Sequence, residues 1–356
     1  MRVLNFTPAV TTMTEETLRL AGEPLEYFRT QKFCDRLRET ERLLLKLIDA
    51  PKDGKAFFLT ASGTGAMDAA VSNLIRPTDR VLVVEAGTFS RRWAEICRFY
   101  GLTVFDYQVP FARDMSLGDL DESIRRFEPD VVLMTRNETS SMQLFDVRAV
   151  GALRERYGFL LVVDAISSFA IDEFSMADGN VSAVVLSTNK GLALSTGMSM
   201  VVLDKARQFF PRSYYLDLRK YDLQTSDLAL PFTPNLIALK QLHYRLLEMK
   251  NAGMTAVIDR VAAQAAHFRA LAAQLGFDLL TQTPSNCGTL LGTHRTDVKA
   301  LFRYLQNKGI FFTPSGGEAG RQFIVGHIGD LKREDNLVLC EELKQWLSGT
   351  LPIEAA

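Results

Sequence analysis

From about residue 56 to residue 203, short continuous apolar runs alternate with longer amphipathic stretches. The runs Ala56–Leu59, Val81–Glu85, Thr103–Tyr107, Val131–Thr135, Leu160–Asp164, Ala183–Ser187 and Ser199–Leu203 predict strands. Runs of Val and Leu without polar alternation are the pattern of strands buried on both faces. Helical patterns intervene over Gly65–Ile75, Ser90–Tyr100, Leu117–Phe127 and Val147–Tyr157. Such repetition predicts an α/β fold, a mostly parallel seven-stranded sheet sandwiched by helices. Ligands are then expected at the carboxyl ends of the strands. A further helical pattern over Pro234–Lys250, with Leu236, Leu239, Leu242, Leu246 and Leu247, is suited to joining two domains. An alanine-rich helix over Ala256–Leu275 is stopped by Gly276, and short strands and helices follow to residue 349. The expected division is an N-terminal arm over 1–22, a large domain over 23–238 and a smaller α+β C-terminal domain over 239–356.

Composition narrows the function classes. The 356 residues, 47% hydrophobic, suit one large or two medium domains with a sizeable core. Lys and Arg (41) nearly balance Asp and Glu (42), so no basic field recruits nucleic acid or an anionic membrane. No apolar run reaches the length of a membrane span, and the segment from Met1 to Pro8 lacks the apolar core of a secretory signal. Cys34, Cys97, Cys287 and Cys340 are scattered, which predicts reduced thiols in a cytoplasmic protein. The four histidines are dispersed, so a metal centre is not expected.

Two strands deliver chemistry. Leu160–Val163 leads into Asp164, and Ala183–Ser187 leads through Thr188 and Asn189 to Lys190. An acid and a lysine at the ends of two buried strands predict a pyridoxal 5'-phosphate site. The lysine would hold the aldehyde as a Schiff base, and the acid would keep the pyridine nitrogen protonated. A lysine after a strand is otherwise a surface residue, so neighbouring segments weigh in the choice.

The turn Ala61-Ser62-Gly63-Thr64-Gly65 follows a strand and opens a helix. It reads either as a phosphate cradle or as a tight left-handed turn with an N-cap. Phe89, at the next strand-to-helix junction, is either a ring-stacking aromatic or a core residue at the helix entry. The polar run Thr135–Ser141 is a ligand contact or a solvated loop. Asn189 is a phosphate contact or a turn residue, and Thr233 precedes a helix as a plain N-cap would. Gly316 and Gly317 read as a loop, and His327 as a structural residue of the small domain.

In order along the chain these segments resemble the class V aminotransferases of the fold-type-I pyridoxal-phosphate enzymes. The nearest branches are the 2-aminoethylphosphonate–pyruvate and alanine–glyoxylate transaminases. Asn5-Phe6-Thr7-Pro8-Ala9 resembles the family's N-terminal Thr-Pro-Gly-Pro motif, with Ala9 for its glycine. The resemblance implies that Ser62, Gly63, Thr64, Phe89, Thr139, Asp164, Asn189 and Lys190 bind the cofactor. It also implies that Thr233 reaches the phosphate in a partner subunit, hence a homodimer with shared sites. Lys190 and Asp164 become the catalytic pair of a ping-pong transaminase acting on a small amine or amino acid and a 2-oxo acid, with Asp164 ionised by the pyridinium it serves.

The family's carboxylate-gripping arginine is replaced by Ile324 in Phe323-Ile324-Val325-Gly326. Isoleucine cannot make the paired N–H···O bonds of that grip. Arg321 and Arg136 are the candidate substitutes, Arg136 alternatively pairing with Glu138 or Asp146. The loss also opens a second reading, a lyase, decarboxylase or retro-aldolase on an amino substrate. A desulfurase is disfavoured, since Cys287 is the only remote candidate for its thiol.

Overall fold

The structure, a computed structural model, describes residues 3–223, 230–295, 297–315 and 320–349. The glycine pair at 316 and 317 lies outside the described residues. The chain opens with the short strand β1 (Leu4–Asn5) and two helices that the apolar pattern did not mark out, α1 (Glu15–Ala21) and α2 (Gln31–Leu47). Thr14 and Thr30 begin them, each side chain accepting a backbone N–H of the first turn. Phe33, Leu37 and Leu44 recur at helical spacing and put the inner face of α2 into the core.

The central unit follows as β2 (Lys55–Leu59), α3 (Gly63–Leu74), β3 (Arg80–Glu85), α4 (Thr88–Phe99), β4 (Thr103–Gln108), α5 (Leu117–Phe127) and β5 (Val131–Thr135). A hairpin of β6 (Asn137–Glu138) and β7 (Gln143–Leu144) comes next, where the sequence reads as a polar loop. Then come α6 (Val147–Tyr157), β8 (Leu160–Asp164), β9 (Ala183–Ser187) and β10 (Ser199–Leu203). The seven long strands form one sheet in the order β2-β10-β9-β8-β5-β3-β4, in which β10 alone runs antiparallel to its neighbours. The apolar runs are buried from end to end in β5, β9 and β10, because helices cover both faces.

Helix α7 (Leu236–Ala252) packs on α1 and α2, and the large core continues through Met249 and Val257. Beyond it, α8 (Met254–Gln274), α9 (Val298–Asn307) and α10 (Arg333–Leu347) surround a second sheet. Its strands are β11 (Asp278–Leu279), β12 (Gly288–Gly292), β14 (Thr313–Pro314) and β15 (Gln322–Gly326), in the order β11-β12-β15-β14, while β13 (Ile310–Phe311) pairs with β1. Leu4 and Phe6 therefore belong to the core of the small sheet, although they start the chain. Among the described residues no helix is long and apolar enough to cross a membrane.

Candidate active site

Because β2, β3, β5, β8 and β9 run the same way, the turns that follow them gather on one edge of the sheet. Asp164 ends β8, and Lys190 stands three residues beyond β9, the adjacent strand. Both are buried. Asp164 Oδ1 accepts the Ile166 N–H at 2.7 Å. Burial pushes its carboxyl up to about 7, with the Glu138 carboxylate adding to the rise and Lys190 and Arg92 opposing it. The sequence reading has this acid ionised by a cationic partner. Here loss of solvent outweighs the N–H bond and the fields of Lys190 and Arg92. Burial acts in the opposite sense on Lys190 and lowers its pKa. Its Nζ donates to Pro8 O at 2.6 Å.

That carbonyl belongs to a strap that crosses between the two sheets. Gly326 N donates to Phe6 O at 2.5 Å, and Thr11 Oγ1 donates to Asn189 O at 3.4 Å. A Cβ on Gly326 would lie 2.8 Å from the backbone of Thr7, so β15 accepts the strap only with glycine there.

The turn after β2 is an extended Ser62 leading directly into α3, not a left-handed turn. Ser62 makes no side-chain cap bond, so the first N–H groups of α3 keep their unpaired donors toward this edge. Gly63 faces Ile166: a Cβ would meet its Cδ1 at 2.6 Å. The cradle is thus in contact with the segment that carries Asp164. Thr64 Oγ1 accepts from Arg92 Nη1 at 2.9 Å. The same guanidinium lies 5.1 Å from the centre of the Phe89 ring, which is half-buried and not a core residue.

Glu138 fixes the start of α4. This fully buried carboxylate accepts from Ser90 N and Ser90 Oγ at 2.9 Å, Phe89 N at 3.2 Å and Ser140 Oγ at 2.6 Å. The hairpin thereby supplies the cap that Gly87, having no side chain, cannot. Thr139 Oγ1 shares a 2.7 Å bond with Ser167 Oγ, and Asn189 Oδ1 accepts from Ser187 Oγ at 3.0 Å.

Arg136 follows β5 at this same edge, its N–H donating to Asp164 O at 2.9 Å, but its side chain is engaged elsewhere. Arg136 donates to the carbonyls of Phe145 and Glu173 and lies 5.4 Å from the Phe174 ring. Its expected partners are engaged elsewhere, Glu138 at α4 and Asp146 as N-cap of α6. Exposed Arg321 meets His294 Nδ1 at 3.0 Å. Ile324 is buried with Met142, Ile171, Cys287 and Ile328, a patch facing away from the small core that takes Phe323 and Val325. Cys287 is buried, which pushes its thiol up to about 12 against the lowering field of Lys190 and disfavours the thiolate. Thr233 is exposed, and Asn235, not Thr233, caps α7 by accepting Ala238 N at 3.1 Å. His327 is buried against Thr289 Oγ1 at 2.7 Å. Sequence reasoning missed Arg92, Ser167 and the Pro8 carbonyl; of these only Arg92, one helical turn after Phe89, had a signal in its spacing.

The family model for aminotransferase class-V matches residues 6–216. The chain belongs to that family. It is a pyridoxal-phosphate-dependent aminotransferase, and the site fits this cofactor: an uncapped helix start for its phosphate, a half-buried aromatic beside it, and a buried acid that, among the described residues, closes no ion pair. The chain is 28% identical to the soluble hydrogenase 42 kDa subunit of Anabaena cylindrica over 94% of its own length and 91% of that protein. It is 26% identical to the L-aspartate–glyoxylate aminotransferase of Paracoccus denitrificans, covering 92% and 86% of the two chains. The alanine–glyoxylate aminotransferase structure from Nostoc shares the fold, with a TM-score of 0.90, 23% identity and coverage of 98% and 96%.

Proposed function

We propose that this aminotransferase moves an amino group from a small amine or amino acid to a 2-oxo acid by a ping-pong cycle centred on Lys190. The observation that carries the reading is the burial of Lys190 and Asp164 at the ends of adjacent strands, with opposite pKa shifts. Bound pyridoxal phosphate supplies the aldehyde that Lys190 engages and the electron-withdrawing ring that acidifies the substrate's α-carbon. Lys190 Nζ, its pKa lowered by burial, gives up its proton more readily than an exposed lysine. It can take the proton from one carbon and return it to another. Asp164 would hold the ring nitrogen, Phe89 would stack on the ring, and Thr139 with its partner Ser167 would contact nearby cofactor atoms. Ser62, Gly63, Thr64 and Asn189 would receive the phosphate. The exposed Thr233 serves the second subunit of a homodimer, the commonest closed assembly. Four buried free cysteines suit a reducing, cytoplasmic compartment.

Ile324 favours a second reading, a lyase, decarboxylase or retro-aldolase, since Arg136 is bonded to backbone carbonyls and Arg321 to His294. Mixing holoenzyme separately with 2-aminoethylphosphonate, L-alanine, L-serine and L-glutamate while following cofactor absorbance decides between them. Conversion to the pyridoxamine form by one amine supports transamination and identifies a donor. Product release with the cofactor unchanged supports the lyase reading.

A further inference from the structure

The phosphate of the cofactor carries a charge of about −2 near neutral pH. Yet Ser62, Gly63, Thr64, Asn189 and Thr233 are all neutral. The cation hydrogen-bonded to this turn is Arg92, through Thr64 Oγ1 at 2.9 Å. Among the described residues Arg92 pairs with no carboxylate, which leaves most of its five donors available. Its neighbour Arg91 behaves differently, an exposed side chain closing an ion pair with the buried Glu85 at 2.8 Å. Arg92 is half-buried, lies 5.1 Å from the Phe89 ring centre, and acts electrostatically on Asp164. One side chain therefore spans the cradle at α3, the aromatic of α4 and the field of the buried acid.

We propose that Arg92 is the phosphate-binding cation of the cofactor site, held in place by Thr64 and by the face of Phe89. The proposal rests on the site reading above. The stacking orients the planar guanidinium, and its remaining N–H groups face the anion that the neutral donors of α3 surround. A guanidinium suits this place because its planar fork matches two phosphate oxygens at once. The bland alternative is that Arg92 merely ties α4 to α3.

The two roles separate on whether the ligand carries a phosphate. Cofactor-stripped full-length protein and its Arg92→Gln variant are titrated with pyridoxal 5'-phosphate and with pyridoxal, following absorbance. Arg92→Gln is expected to weaken pyridoxal 5'-phosphate on the order of 10- to 100-fold, the usual worth of a charge-assisted bond. Pyridoxal affinity is expected to stay unchanged, and inorganic phosphate to protect the empty site of the parent but not of the variant. Equal weakening of both ligands, or of neither, overturns the proposal. Arg92→Lys gives the same comparison if the glutamine variant does not fold: a smaller loss confined to the phosphorylated ligand supports it, and equal losses overturn it. Failure of the parent to bind pyridoxal 5'-phosphate at all would count against the site reading instead.

Discussion

Asp164 shows how a side chain takes its chemistry from its surroundings. In water its carboxyl would titrate near the ordinary value of 3.8, but burial moves it to about 7. Between those two values the folded chain holds a proton that the unfolded chain has lost. Folding stability in the cofactor-stripped protein is therefore favoured at low pH, and this contribution declines as pH rises through the window and levels off above about 7. Asp164→Asn should flatten that slope by up to about 1.4 kcal/mol per pH unit, measured by urea unfolding of the stripped proteins across the window. Bound cofactor should flatten it too, since a cationic ring nitrogen stabilises the anion. Identical slopes in parent and variant would show that Asp164 is solvated.

Helix α4 depends on a residue far from it in sequence. Its first turn contains Phe89, and its N–H groups are received by Glu138 at the end of a short hairpin strand. Gly87 must be glycine for this contact, because a Cβ would lie 2.7 Å from the Glu138 side chain. Removing the carboxylate would leave several buried donors unsatisfied. Glu138→Ala is expected to cost about 2–4 kcal/mol, read from chemical denaturation. It should also loosen the cofactor through the displaced Phe89. Retention of full stability would mean that water replaces the cap.

The two sheets meet along the N-terminal strap, at the β6–β7 hairpin, which receives residues 281–285, and at Asp172, whose carboxylate accepts Ser285 Oγ at 2.5 Å and Asn286 N at 2.9 Å. The proposed dimer adds a joint between subunits, since Thr233 faces solvent in the single chain. Two defective variants test it. Lys190→Ala should be inactive, and Thr233→Ala should bind cofactor weakly. If Thr233 serves the opposite subunit, refolding equal amounts together creates mixed dimers with one intact site. About a quarter of parental sites should then return, by random pairing into two-fold dimers. If Thr233 serves its own chain, the mixture gains nothing.

The sheet and its helices were legible in the chain: runs buried on both faces must be apolar throughout, and Val131–Thr135, Leu160–Asp164, Ala183–Ser187 and Ser199–Leu203 were placed to the residue. Parallel strands then send Asp164 and Lys190 to one edge. Three-dimensional packing decided the rest. Glu138 as a cap, Arg92 on Thr64 and Pro8 against Lys190 join residues 48, 28 and 182 positions apart. The same holds for Arg136, whose charge the sequence displays but whose donors the backbone of Phe145 and Glu173 receives. Periodicity reports which face of an element is buried; a hydrogen bond between distant loops leaves no period behind. The chain alone thus determined the scaffold and the pair of ionisable groups, because burial selects apolar residues along a local repeat. Only the tertiary structure decided which polar groups those two meet and how far burial shifts them, because desolvation and long-range contact exist only once the chain has closed.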